Sequence, residues 1–378
     1  MKFVLAPDKY KGSLSGLQFC EVVEQGLRRT FPNAEIAQIP LADGGDGTME
    51  VVQYYLKASR IKTIVKDPLY RDIESGYLFS KEKGIAFVEM SEASGYKLLT
   101  KDELNCMHTT TFGTGQLIVH AMEQGAKQVV LGIGGSATND VGMGMAAALG
   151  YRFLDEKGNE LLPIGKNLNS VAKIDSQKVL AGLENIEIKV ACDVNNPLHG
   201  KHGAAYVYGP QKGASADDIV HLNQGLKSFA KIIHEQFGID AQKISGAGAA
   251  GGMGAGTKVF LNATLLSGID LIKEIANFDN TIEGADWIIT GEGQLDNQTL
   301  SGKTIVGVIQ SAKARNIPVA AFCGSIDVSI EEIESMGLQY VTSILNGVGN
   351  LEDAKKNTSK NLEMASYNFA KLLKQKQG

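Results

Sequence analysis

Apolar residues recur along this chain with two different periods, and the switches between them mark its elements. "KFVLAP" reads as a strand, and "SLSGLQFCEVVEQGLRRTF" carries apolar residues at helical spacing, with Ser13 or Ser15 available as a cap. "AEIAQIPLAD" predicts a second strand and "GTMEVVQYYLK" a second helix. The same rhythm returns near the C-terminus, with strands in "DWIITGEG", "PVAAFCG" and "QYVTSILN". Helices are expected in "GKTIVGVIQSAKARN" and "SIEEIESMG", and one long amphipathic helix in "EDAKKNTSKNLEMASYNFAKLLKQ". Alternating strands and helices imply parallel pairing, and the five strands of the two ends suit a flavodoxin-like doubly wound parallel sheet.

The middle has another pattern. "IKTIVKDPL" and "GYLFSKEKGIAFVEM" are longer extended segments suited to antiparallel pairing. A helix in "TGQLIVHAMEQG", a strand in "KQVVLGIG" and a small-residue helix in "GMGMAAALG" follow. "IEIKVACDV" and "GAAYVYGP" predict strands, and an amphipathic helix is expected from about Asp217 to Phe237. The expected architecture is two α/β domains: a discontinuous flavodoxin-like domain, 1–60 and 285–378, and an inserted mixed-sheet α/β domain, 61–284.

Composition sharpens this picture in one respect. The chain has 44 glycines in 378 residues, against a usual ~7%. They cluster between apolar segments, where positive φ or close approach of a ligand is needed. A net charge of -5 argues against a nucleic-acid partner. No apolar run is long enough to predict a membrane helix. Cys20, Cys106, Cys192 and Cys323 are scattered, without metal-ligand spacing, which suits a reducing compartment and a cytoplasmic location.

In open parallel sheets ligands bind beyond the carboxyl ends of the strands. Asp8, Lys9 and Lys11 follow the first strand, Asp43 and Asp46 the second, and Glu292 and Asp296 the third. Each loop taken singly could be turn chemistry, and Asp46 could cap the next helix; three carboxylate ends at one sheet edge point further. The insert adds the Gly-rich stretches "GIGGSATNDVGMG" and "SGAGAAGGMGAGT", whose amides could hold an anion or serve tight strand–helix packing, and Asp193 in "ACDVNNPLHG". "GIGGSA" followed by Asp155 is a weak dinucleotide match, and "SGKT" lacks the upstream Gly of a P-loop, that position being Asn297. His199 and His202 have no third ligand, and GxSxG is absent. Hard oxygen ligands with anion cradles suit Mg²⁺ and phosphoryl transfer, without naming the acceptor.

Seven motifs in order carry the reading further: "APDKYKGSLS", "PLADGGDGT", "GIGGSATNDVGMG", "ACDVNNPLHGKHGA", "YGPQKGA", "GAGAAGGMGAG" and "TGEGQLDNQTLSGKT". Together they resemble the bacterial glycerate kinase family, over essentially the whole chain. The resemblance implies ATP-dependent, Mg²⁺-assisted phosphorylation of D-glycerate, and it favours the 2-position over the 3-position. A kinase of another small hydroxy acid and a non-catalytic anionic-metabolite-binding protein are the alternatives. Two motifs depart from the family pattern: Lys9 and Tyr10 stand where it commonly has Ser and Phe, and Val141 where it has Gly.

On this reading Asp193 is the first candidate for the base that takes the hydroxyl proton, with an Asx-turn as the lesser alternative. Lys11 is placed on phosphate or the glycerate carboxylate, and Asp43 is the third catalytic candidate. Asp43, Glu292 and Asp296 are candidates for Mg²⁺ or the acceptor hydroxyls, with Asp8 beside them as a substrate-binding residue. Gly134, Gly135, Ser136, Thr138 and Asn139 in one stretch, and Gly246, Gly248, Gly251 and Gly252 in the other, are expected to cradle the nucleotide phosphates or the glycerate carboxylate. ATP and D-glycerate are the expected partners, with no nucleic acid and no membrane; a homo-oligomer is left open.

Overall fold

The computed structural model describes residues 1–45, 47–296 and 304–375. Asp46 and Asn297, with residues 301–303 of the P-loop-like tail, lie outside the described residues. The chain forms two compact units, Met1–Tyr55 with Gly268–Gly378, and Leu56–Ser267.

The first unit opens with β1 (Lys2–Leu5) and β2 (Glu35–Gln38), joined by the helix Gly16–Arg28. Ser15 starts that helix with a capping box to Gln18, so two orphan amides are satisfied reciprocally. The second unit follows with β3 (Ser59–Lys66), β4 (Asp72–Ser80), β5 (Ile85–Glu89), β6 (Gln128–Gly132), β7 (Arg152–Leu154), β8 (Lys173–Asp175), β9 (Glu187–Ala191) and β10 (Thr264–Leu266). The chain then returns to the first unit with β11 (Trp287–Leu295), β12 (Val319–Ile326) and β13 (Tyr340–Ser343).

The first unit's sheet is parallel, in the order β13-β12-β11-β1-β2. Counted along that unit, this is the 2-1-3-4-5 order of flavodoxin-like folds, and its switch point lies between β1 and β11. Phe3, Leu5, Phe19, Phe322 and Phe369 fill the core. The second unit's sheet runs β10-β9-β6-β5-β4-β3. It is parallel from β10 to β5 and antiparallel at β4 and β3, hence mixed as expected.

Four local expectations change. "GAAYVYGP" is not a strand but the helix Ala204–Tyr208; Ala204 and Ala205 are buried, while Tyr206 and Val207 are both exposed, which alternation cannot produce. β11 runs on through the expected loop to Leu295, because β12 continues beside it and pairs Leu295 with Ile326. The long C-terminal helix divides into Leu351–Lys356 and Thr358–Gln375. Residues 268–275, assigned to the insert from the sequence without an element of their own, form the helix Gly268–Ile275 and pack in the first unit: a Cβ on Gly307 would stand 2.5 Å from Cγ1 of Ile269.

Candidate active site

In the first unit, three of the expected carboxylates reach the carboxyl edge of the sheet at its switch point. Beyond β1, the Asp8 amide donates to the Gly291 carbonyl of β11 (2.9 Å), which draws this loop alongside the strand. The Asp8 carboxylate accepts from the Lys9 amide (2.7 Å) and from the Thr304 hydroxyl (2.6 Å). Burial pushes its carboxyl up to about 6; the Thr304 bond opposes this, and the nearby Asp43 charge adds to it. Asp43 accepts from the Gly45 amide (3.0 Å), closing an Asx-turn. The Lys9 side chain lies over Gly47, its Cδ 2.9 Å from where a Cβ would stand, and Gly47 has φ +96. The φ is the ground on which glycine is required there, since the lysine side chain could move aside.

Glu292 sits on β11 rather than in a loop, in register with Cys323. Burial pushes the Tyr10 hydroxyl and the Cys323 thiol up, and the Glu292 charge adds to both. The Tyr10 hydroxyl donates to the Phe322 carbonyl (2.8 Å), a bond the family's commoner Phe could not make. Asp296 follows directly after β11, and Lys11 is exposed.

Among the described residues no group of three or more His, Cys, Asp or Glu side chains is placed to hold a metal ion. Asp8 and Asp43 lie close enough for their charges to act on one another, and such hard oxygen donors suit Mg²⁺, which is commonly bound through one or two carboxylates plus substrate phosphates.

In the second unit, β6 leads into the turn Gly134–Gly135, and both residues are exposed. Gly135 has φ +70, and a Cβ on Gly134 would meet nothing within 4 Å. Below the turn the loop is fastened to residues 94–96: the Tyr96 amide donates to Gly135 O (3.0 Å) and the Ala137 amide to Ser94 O (2.9 Å).

Ser136, Thr138 and Asn139 are buried. Under them lies Lys212, from the motif "YGPQKGA". Its Nζ donates to Ser136 Oγ (2.6 Å) and to the Thr138 carbonyl (2.7 Å). Burial pulls the Lys212 ammonium down to about 8, while the charges of Cys106 and Asp140 act to raise it. Asp140 anchors the loop's other end, accepting from the Thr111 amide and hydroxyl (both 2.8 Å) and the Gly142 and Gly144 amides (3.1 and 3.2 Å). Burial raises this carboxyl too, against those four donors. Thr138 Oγ1 and both polar atoms of the Asn139 side chain are buried without a partner among the described residues. Val141 has φ +53, which explains the family's glycine there: a β-branched residue is strained in the left-handed region.

The second Gly-rich stretch corrects an expectation. It is not an open loop; it enters the helix Ala249–Leu261 through three left-handed residues, Ala250, Gly251 and Gly252. A Cβ on Gly251 would stand 2.0 Å from Thr138 O, on Gly252 2.9 Å from the Val141 Cα, on Gly246 2.6 Å from Cys192 Sγ, and on Gly248 2.3 Å from Pro197 O. These four glycines are occupied with backbone packing, much of it against the first loop.

Two substitutions separate the roles of the two stretches. Gly251→Ala is expected to cost about 3 kcal/mol, from overpacking and a strained φ, and to lower Tm by several degrees. Gly134→Ala should stay within ~0.5 kcal/mol of the parent. Equal melting temperatures for the two variants would refute the packing role.

Asp193 lies two residues beyond β9 and is exposed. Its neighbours are structural: Asn195 accepts from Ser245 Oγ (2.8 Å), and Asn196 accepts from the Tyr208 hydroxyl (2.7 Å). Sequence reasoning missed Lys212, Thr304 and Thr111 as site residues. "YGPQKGA" was a visible signal for Lys212; nothing in spacing marks the other two.

Carboxylates at a switch point, and a glycine turn over a buried lysine, equip a protein for phosphoryl transfer, which is mostly positioning and charge stabilisation. The class is that of the phosphotransferases. The family model described as the glycerate kinase family matches residues 3–374. A glycerate kinase from Halalkalibacterium halodurans is 43% identical over 97% of both chains. A glycerate 2-kinase from Escherichia coli is 40% identical over 99% of this chain and 98% of its own. A crystal structure from Salmonella typhimurium, described as glycerate kinase 2, superposes with a TM-score of 0.88 at 40% identity, covering 100% of this chain and 99% of the other. The chain belongs to the glycerate kinase family, and it is a kinase.

Proposed function

We propose that this kinase transfers the γ-phosphoryl group of ATP to the 2-hydroxyl of D-glycerate. The observation that carries the reading is the exposed Gly134–Gly135 turn above the Lys212 ammonium, a place for an anionic oxygen, in a chain matched to the glycerate kinase family from end to end. The name of the Escherichia coli relative supports the 2-position.

In the first unit, Asp8, Asp43, Glu292 and Asp296 are the carboxylates suited to Mg²⁺ or to the acceptor hydroxyls, and the exposed Lys11 is suited to an anionic group. Bound Mg²⁺ would neutralise charge on the phosphate oxygens. In the second unit, Gly134, Gly135 and Ser136 are suited to a phosphate or carboxylate, and Asp193 is an exposed carboxylate at a strand end. Gly251 and Gly252 act indirectly, by packing against the first loop, and Gly246 and Gly248 by packing against the segment that follows β9. No described helix is long and apolar enough to cross a membrane. The four cysteines are unpaired, which suits the reducing cytoplasm.

ADP release should be stimulated by D-glycerate in the presence of Mg²⁺, and much less by tartronate or other small hydroxy acids. Phosphorus NMR of the product should show 2-phosphoglycerate. A 3-phosphoglycerate signal would overturn the regiochemistry, and absence of stimulation by any acid would overturn the activity.

A further inference from the structure

One carboxylate of the second unit belongs to no motif and serves no structural bond. In its sheet, β5, β6 and β9 lie side by side, and register aligns Glu89, Gly132 and Ala191 in one row. Register partners in a parallel sheet project to the same face. The row is the last before the carboxyl edge. The Gly134–Gly135 turn follows it on β6, and Asp193 follows it beyond β9.

Glu89 does not point away from this edge. Its carboxylate lies across the Cα of Gly132: Oε2, Cδ and Oε1 fall 2.4, 2.7 and 2.9 Å from where a Cβ of residue 132 would stand. Gly132 lies in a regular strand and has no positive φ, so backbone conformation does not require a glycine there. The glycine leaves room for the carboxylate in this position, which a larger side chain would displace. Glu89 is half-buried, and among the described residues it makes no hydrogen bond or ion pair. Its charged neighbour is Glu92, which is itself paired with Arg60 of β3. Burial, helped by Glu92, pushes the Glu89 carboxyl up to about 7.

A half-buried carboxylate without a protein partner is partly desolvated, which costs stability, and it occupies the space where a side chain at 132 would stand. Groups held this way at a ligand-binding edge are candidates for chemistry. We propose that Glu89, rather than Asp193, accepts the hydroxyl proton of the acid substrate during phosphoryl transfer. The inference rests on the kinase reading above. As the substrate oxygen forms its bond to the γ-phosphorus, the O–H proton passes to the Glu89 carboxylate. The bond from the γ-phosphorus to its bridging oxygen breaks, and ADP leaves with that electron pair. The carboxylic acid then returns its proton to water. A general base is most effective when its pKa lies near the working pH, and Glu89 meets that condition.

The test uses the full-length enzyme with MgATP and D-glycerate. Glu89→Gln should lower kcat at least about 100-fold, within the usual range for loss of a general base, with KM for both substrates within about threefold. The acidic limb of the kcat profile, centred near pH 7 in the parent, should disappear. Calorimetric binding of D-glycerate with a non-hydrolysable ATP analogue should be unchanged. Tm should not fall, since the neutral amide removes a buried charge. Gly132→Ala, whose Cβ would displace the carboxylate, should lower kcat with Glu89 still present, and Glu89→Asp should restore part of the turnover lost in the Gln variant. A Glu89→Gln kcat within threefold of the parent overturns the proposal, and a large loss in Asp193→Asn would then assign the proton to Asp193. If the parent enzyme phosphorylates no hydroxy acid, the kinase reading and this proposal fall together.

Discussion

Lys212→Met should lower kcat/KM about 100-fold or more and change stability at pH 7 by little. The lysine holds Ser136 and Thr138 from below and places a positive charge under the loop that carries the exposed Gly134–Gly135 turn. Removing it frees the turn and removes that charge. Two stability effects oppose each other. The ammonium is buried and held to about 8 from its ordinary 10.5, so charging it in the fold costs roughly 3 kcal/mol. Methionine removes that cost but leaves Ser136 Oγ and Thr138 O without their donor, at roughly 1–3 kcal/mol each. The pH dependence is sharper than the balance. Between pH 8 and 10.5 the native lysine has lost its proton while the unfolded one retains it, so the parent gains stability as pH rises through that window. The methionine variant should lose this gain. Urea melts at pH 7 and 10, with steady-state kinetics, decide the matter; a kcat/KM within threefold of the parent would remove Lys212 from the site.

Much of the fold was legible because hydrophobic period and strand–helix alternation are local signals. The first unit's parallel sheet followed from five alternating strands, and the mixed second sheet from the extended segments before residue 90. "GAAYVYGP" misled because a run of five aromatic, β-branched or small apolar residues resembles a strand, while the burial of Ala204 and Ala205 as neighbours is set by tertiary packing. The two glycine stretches could not be told apart by composition. Gly134 faces open space and Gly251 faces a carbonyl oxygen, and only the fold decides which. Asp8 and Asp43 were visible because strand ends with carboxylates have a meaning in doubly wound sheets. Glu89 was not, since it closes an apolar strand without Gly, Pro or a partner to mark it. Lys212 lay in a quoted motif, but a lysine between Gln and Gly carries no sign of burial. Val141 shows the converse: the sequence flagged a departure from the family, and φ +53 supplies its physical content.

Asp8→Asn should make the protein more stable at neutral pH while removing most of its activity. In the fold, burial holds the Asp8 carboxyl up to about 6, against 3.8 for an ordinary one. From about pH 4 to 6 the native state therefore binds more protons than the unfolded state, and stability falls as pH rises through that window. Above pH 6 the full cost of the buried charge is present, at most about 3 kcal/mol. Asparagine can still accept from the Lys9 amide, and its NH₂ can donate to the Thr304 hydroxyl, so both hydrogen bonds have a neutral counterpart. The variant should gain about 1–2 kcal/mol at pH 7.5, seen as a rise in Tm of a few degrees in metal-free buffer, and no gain at pH 3.5. Activity should move the other way, with kcat/KM down at least about 100-fold, because a neutral amide at the switch point no longer complements a cation. Together these outcomes would show that the carboxylate is retained against stability for the sake of the reaction, a common cost of strained or charged active sites. A lower Tm for the variant at pH 7.5 would instead mean that the Asp8 charge is already satisfied in the metal-free protein, and unchanged kinetics would place it outside the site.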